Sequence, residues 1–202
     1  TLSKNGGGWA TAHATTINAS DAASGVKTVQ YQWTTSTTTP TTWTTGSNGT
    51  STNAPATSGN HYLHVRVTDN ANNVRNFVSN VFQIDRTAPT NPAISAGSGW
   101  QTSDVTVTIT PGTDEHSGVS KTEYRLNSGS WVTYSAPFVI STNGTTTIQA
   151  RTVDKLNNTS GAVSKSVQLD KVNPTLDLKA DTTSWTKGNV ILTATGSDSH
   201  SG

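Results

Sequence analysis

Acidic residues set at turns are the main chemical lead in this chain. Asp-x-x-Ser-Gly occurs as Asp21-Ala22-Ala23-Ser24-Gly25, Asp114-Glu115-His116-Ser117-Gly118 and Asp198-Ser199-His200-Ser201-Gly202. Asp69 and Asp154 open two further turns, and Asp85 and Asp170 head the segments Asp85-Arg86-Thr87-Ala88-Pro89 and Asp170-Lys171-Val172-Asn173-Pro174. Carboxylates gathered with turn carbonyls are hard oxygen donors, the set that calcium takes. Asp85, Asp114, Glu115 and Asp154 form one candidate set, and Asp170 and Asp198 an equivalent pair. The same aspartates have a plainer use, since Asp starts turns by accepting hydrogen bonds from its own backbone. Glu115 is replaced by Ala22 and Ser199 in the other two turns. Calcium could serve here, but neither reading requires a cofactor.

Other reactive residue types lead to less. Asp114, His116 and Ser117 are the residue types of a hydrolytic triad, but they sit within one turn, whereas a triad converges from separate elements. His61 and His64 are three apart, so on a strand they face opposite ways and do not share an ion. The chain has no cysteine, no Gly-x-Ser-x-Gly, no His-Glu-x-x-His and no phosphate-binding glycine loop. The expectation is a non-enzymatic protein. Trp43 and Trp131 could stack on sugars as amphipathic rings, or could cover a sheet. Trp33 is expected on an inward face, and Trp9, Trp100 and Trp185 share one place ahead of an Asp-x-x-Ser-Gly turn.

The elements that position these residues repeat along the chain. Arg66 to Arg151, Asp69 to Asp154 and Asp85 to Asp170 are each 85 apart (151 − 66, 154 − 69, 170 − 85), while Tyr31 to Tyr124 is 93 (124 − 31). The first copy therefore carries 8 extra residues (93 − 85), placed in the Thr-rich run 34–57. Self-similarity at a fixed period signals an array of small modules. The boundaries fall near 1–85, 86–170 and 171–202. The third copy, at roughly 30 residues, is too short to close a core and is expected to be an excerpt.

Within the second copy, Val105, Val107 and Ile109 alternate with threonines, a period-two strand with one apolar face. Thr122, Tyr124 and Leu126 form the next inward set, Asn127-Ser128-Gly129 turns the chain, and 131–134 is a short strand. Pro137 confines 138–140 to an edge or a strand start. Asn143-Gly144 is a hairpin signal, and 147–154 and 163–170 complete the copy. Seven short strands in about 85 residues, with turns every ~8–12, read as an immunoglobulin-like sandwich. The fold expected is all-β, as tandem immunoglobulin-like repeats. In such a sandwich the incoming linker and the turns at Asp114 and Asp154 share one end, which would bring Asp85, Asp114, Glu115 and Asp154 together.

Tyr124-Arg125-Leu126-Asn127-Ser128-Gly129-Ser130-Trp131, then Ala136-Pro137-Phe138, 148–154 and the Asp-x-x-x-Pro linker carry a family resemblance. The chain resembles the tandem bacterial Ig-like (Big-type) domains of large surface and adhesin proteins. Asn72 and Leu156-Asn157 stand where a glycine-containing Ala-Gly-Asn is common in that family, and asparagine tolerates the left-handed conformation the turn needs. The resemblance implies an extracellular bacterial setting, as a cell-surface or secreted protein. It also brings a Lys–Asn isopeptide bond into view. Lys27, Lys121 and Lys165 lie on plausible strands, but the pattern gives no buried acid to promote the bond.

Composition narrows the function further. Hydrophobic residues make up 31% and charged residues 12%, with a net charge of +1. That balance gives no footprint for nucleic acid, and no apolar run reaches bilayer length, so neither nucleic-acid binding nor membrane insertion is expected. The expected function is a stalk or spacer of a surface protein or adhesin, each module adding ~30–40 Å from strands of ~8–10 residues. The alternatives are a module binding a glycan or host receptor, and an accessory region of a secreted polysaccharide-degrading enzyme. Neighbouring repeats of the same protein are the expected structural partners.

Overall fold

A computed structural model describes residues 1–202, and all of its regular elements are strands. The first copy contributes β1 (Gly7–Ala10), β2 (Ala14–Thr16), β3 (Val26–Thr34), β4 (Thr44–Gly46), β5 (Ser51–Asn53), β6 (Gly59–Asp69), β7 (Val74–Val78) and β8 (Phe82–Ile84). They form one sheet in the order β1-β8-β6-β3-β4, with β7 also on β6, and a second ladder of β2 with β5. The second copy contributes β9 (Ala93–Ser95), β10 (Trp100–Gln101), β11 (Val105–Thr110), β12 (Val119–Leu126), β13 (Val132–Thr133), β14 (Phe138–Ile140), β15 (Gly144–Asp154) and β16 (Val163–Leu169). Its sheets run β10-β16-β15-β12-β13 and β14-β11-β9. In both copies the last strand pairs in parallel with an early strand, β8 with β1 and β16 with β10. This two-sheet order is an immunoglobulin-like β-sandwich. β17 (Thr175–Ala180) and β18 (Leu192–Ser197) pair only with each other, leaving Leu176, Leu178 and Ile191 exposed.

By compactness the chain divides into Thr1–Thr90 with Thr113–Ser120 and Thr152–Ser160, and Asn91–Gly112 with Lys121–Arg151 and Gly161–Gly202. The first unit contains the acidic turns around Asp114 and Asp154 along with the Asp85 linker. Its core is Ile17, Val29, Leu63 and Val65, with Trp33 packed against it. The core of the second unit includes Val105, Val107, Ile109, Ile148 and Val167. The alternation read from the sequence appears directly in β11, whose residues are buried and exposed in strict turn.

Two local expectations need correcting. Asn143-Gly144 does not close a hairpin: β14 pairs with β11 in one sheet and β15 with β16 in the other, so residues 141–143 cross between layers. β14 and β15 are claimed by partners in different sheets, which leaves no ladder between them. The expectation of no buried acid also fails, because Glu123, on the outward side of β12, is only 7% exposed. Lys121 and Arg151 close over it.

Candidate functional site

Asp85, Asp114 and Asp154 come together, with one carboxylate oxygen from each within 4.8 Å of the others. Asp85 and Asp154 are both 0% exposed and Asp114 is half-buried. Each is placed by backbone it organises. Asp154 ends β15, and its Oδ1 accepts the N–H groups of Leu156 and Asn158 at 2.8 Å each, while Oδ2 accepts Asn158 Nδ2 at 2.7 Å. The turn closes through Asn157 at φ 68°, and Asn72 does the same in the first copy at φ 69°. These are the positions where asparagine was expected to take the left-handed conformation. Asp114 Oδ2 accepts the N–H groups of His116 and Gly118 at 3.1 and 2.7 Å. Gly118, at φ +84°, supplies the left-handed residue that a side chain would strain.

Asp85 ties two segments. Its Oδ1 accepts Thr87 N–H at 2.9 Å, within its own linker, and its Oδ2 accepts Ser117 N–H at 3.0 Å, 32 positions away. Asp170 repeats the arrangement, with Oδ1 on Val172 N–H at 2.9 Å and Oδ2 on Ser201 N–H at 3.1 Å. In the first turn, the equivalent N–H of Ser24 goes to its own Asp21 Oδ2 at 2.7 Å. The serine N–H of this turn is therefore the donor that an incoming carboxylate captures. Asp198 keeps a share of it, with Oδ1 at 3.0 Å from Ser201 N.

None of the three clustered carboxylates forms an ion pair. Asp114 Oδ1 is buried and accepts no hydrogen bond, and the hydroxyl of Ser117, itself 7% exposed, is also buried without a partner. Oxygens sharing one calcium ion lie at most about 5 Å apart, twice a Ca–O distance of ~2.3–2.6 Å. The cluster therefore fits a hard cation, with an unused carboxylate oxygen and an unused hydroxyl to offer. Glu115 is exposed and is not one of the three, because its turn position faces solvent.

Burial pushes the Asp85 carboxyl upward, but the Ser117 hydroxyl nearby, the Thr87 and Ser117 N–H groups and the His116 ring outweigh it and hold the acid below its ordinary value. The hydroxyl favours the charged form although its geometry falls short of a hydrogen bond. Asp170 is lowered by the N–H of Val172 and then by Ser201, and Glu123 by Lys121 against burial, with help from Arg151. Lowered carboxylates contribute stability that is full above their unfolded pKa values of ~4 and is lost as pH falls through the folded values. The thermal midpoint should hold steady from pH 7 to about 5 and fall progressively below about pH 4. A midpoint unchanged down to pH 2.5 would remove these groups from the stability of the fold.

The remaining candidates occupy structural places. Trp131 is half-buried, with the guanidinium carbons of Arg151 and Arg125 at 4.2 and 4.7 Å from its ring centre. Trp43 is half-buried, with that of Arg66 at 5.9 Å. Trp33 is held by Thr52 Oγ1 at 2.9 Å and packs edge-on to Phe82. Trp9 meets His116 edge-on at 5.3 Å. Trp185 stands wholly in solvent. His61 and His64 are buried and bond separate carbonyls, those of Thr57 and Ser36. Lys27 Nζ reaches Asn72 Oδ1 at 2.7 Å, but at the exposed surface, while Lys121 has the buried Glu123 beside it. Sequence reasoning missed Glu123, whose sequence signal is Lys121 two places earlier on the same strand and Arg151 on the adjoining β15.

No protein-family model matches the chain, and no curated protein does. Among solved structures it is similar to the fibronectin(III)-like modules of Clostridium thermocellum CbhA. The identity is 11%, the TM-score 0.35, and the match covers 86% of this chain and 96% of that one. A likeness that faint carries no argument, and the fold rests on the strand pairing described above.

Proposed function

We propose that this chain is a non-catalytic spacer segment of a bacterial surface protein, made of tandem Big-type modules, and that its acidic junction takes calcium. One observation carries the reading. Each linker aspartate, Asp85 and Asp170, gives one oxygen to its own linker and the other to the serine N–H of the next Asp-x-x-Ser-Gly turn. Each linker is thereby tied to the turn that follows it, which suits a spacer. The proline-bearing linkers stiffen the same segments.

Calcium enters because Asp85, Asp114 and Asp154 place three like charges together, and no ion pair supplies the opposite charge. A bound cation would supply that charge, with Asp114 Oδ1 and the Ser117 hydroxyl as the unused donors. Small-angle scattering with calcium and then with excess chelator tests both parts. An elongated particle supports the spacer, and a compact one removes it. A particle that loosens on chelation supports the ion, and indifference returns the aspartates to plain turn residues.

Asp114→Asn isolates the cation from the turn. The asparagine oxygen can keep the His116 and Gly118 bonds while its amide replaces the unpartnered oxygen. In chelator this variant should melt at or above the wild-type midpoint, because one repulsive charge is gone. In calcium at a hundredfold excess over Kd, wild type should gain about 2.7 kcal/mol and the variant little. Equal gains in both proteins would place any calcium elsewhere.

A further inference from the structure

The two copies solve the same problem differently on the outward face of the larger sheet. In the second, Arg151 lies over Trp131 and is neutralised by Glu123, which accepts its Nε at 2.9 Å and its Nη2 at 2.8 Å. In the first, Arg66 lies over Trp43, and the residue opposite it in the β3–β6 register is Gln30. Gln30 and Glu123 are equivalent positions, since the adjacent Tyr31 and Tyr124 set the 93-residue shift (124 − 31). A neutral amide therefore stands where the other copy has the compensating carboxylate. Arg66 forms no ion pair, and its Nε is buried without a hydrogen-bond partner.

Its stacking partner Trp43 and its cross-strand neighbour Asn76 line a groove of about 140 Å³, together with Thr37, Thr39, His64, Phe77 and Val78. Asn76 is directly opposite Arg66 on β7, and Phe77 is 42% exposed. The His64 Nε2 contact to Ser36 O holds the 35–43 loop, the longest part of the Thr-rich insertion, against the sheet. The groove is smaller than the ~300 Å³ at which drug-sized pockets begin, so it takes one end unit of a larger molecule.

We propose that this groove binds the terminal carboxylated sugar of a glycan, whose carboxylate gives Arg66 the counter-charge that Glu123 gives Arg151. The unpaired guanidinium calls for a planar oxyanion. The threonine hydroxyls and the Asn76 amide suit a ring edged with hydroxyls, and the aromatic lining suits its apolar face. This site goes beyond the spacer reading, and its test reads binding rather than particle shape.

The test is retention on an array of oligosaccharides ending in glucuronic acid or N-acetylneuraminic acid, beside neutral glucose-ended counterparts and a glutamate-rich peptide. Wild type should prefer an acid-ended oligosaccharide by roughly tenfold or more, as loss of a charge-assisted bond implies, with the preference shrinking as salt rises. Gln30→Glu supplies the missing carboxylate internally. It should abolish the preference while the melting temperature stays level or rises, so the loss is not unfolding. Arg66→Gln should abolish it as well. The proposal is overturned if wild type does not distinguish acidic from neutral sugars, if Gln30→Glu binds as wild type does, or if only the peptide is retained.

Discussion

An Asp154→Ala variant, measured in chelator by urea denaturation, should lose about 3 kcal/mol or more of stability. Asp154 is completely buried and accepts three hydrogen bonds, from Leu156 N, Asn158 N and Asn158 Nδ2. Alanine leaves all three donors facing a space that the carboxylate filled, and each buried, unsatisfied polar group costs roughly 1–3 kcal/mol. Removing one of three neighbouring negative charges offsets part of this. Asp154→Asn should lose less, because its oxygen retains the Leu156 and Asn158 N–H bonds. Asp69 supplies the internal control. It holds Asn73 through the same pair of bonds, at 2.8 and 2.9 Å, but in a half-exposed turn where water can take over the donors. Asp69→Ala should therefore cost distinctly less. Equal losses at the two sites would mean that burial is not what makes Asp154 matter.

Phe82→Ala should be the most damaging single truncation in the core of the first unit, at about 3–5 kcal/mol. Phe82 is 0% exposed, packs edge-on to Trp33 at 5.2 Å between ring centres and tilts against His13 at 5.5 Å. It lies on β8, the strand between β1 and β6, so the cavity would open where three strands meet. Phe82→Leu should lose much less, since a branched aliphatic side chain refills most of the volume. A loss below about 1 kcal/mol for the alanine variant would show that the surrounding strands collapse onto the gap.

Much of this architecture is legible before any coordinates, because it depends on period and turn chemistry. Val105, Val107 and Ile109 alternate with threonine and are buried as that alternation requires. Asn72 and Asn157 adopt the left-handed conformation that their turns demand. The convergence of Asp85, Asp114 and Asp154 follows from strand order, once linker and turns are assigned to one end of a sandwich. What periodicity does not convey is how the outward face is covered. It assigns Glu123 to that face, but the long side chains of Lys121, on the same strand, and Arg151, on the adjoining one, bury it there. The same cover places two guanidinium groups against Trp131, a ring that composition alone offers to sugars. Asn143-Gly144 misleads for a different reason. The dipeptide permits a tight reversal, but the pairing partners of β14 and β15 decide whether one forms.

The parallel pairing of β8 with β1, and of β16 with β10, has a mechanical consequence. Parallel neighbours near the two ends of a module begin at the same edge of the sheet, so the chain enters beside one end of the pair and departs beside the other. Tension along the chain would then draw the two strands past each other lengthwise. The hydrogen bonds joining them would carry the force together, as a lap joint does, instead of parting one at a time like the teeth of a zip.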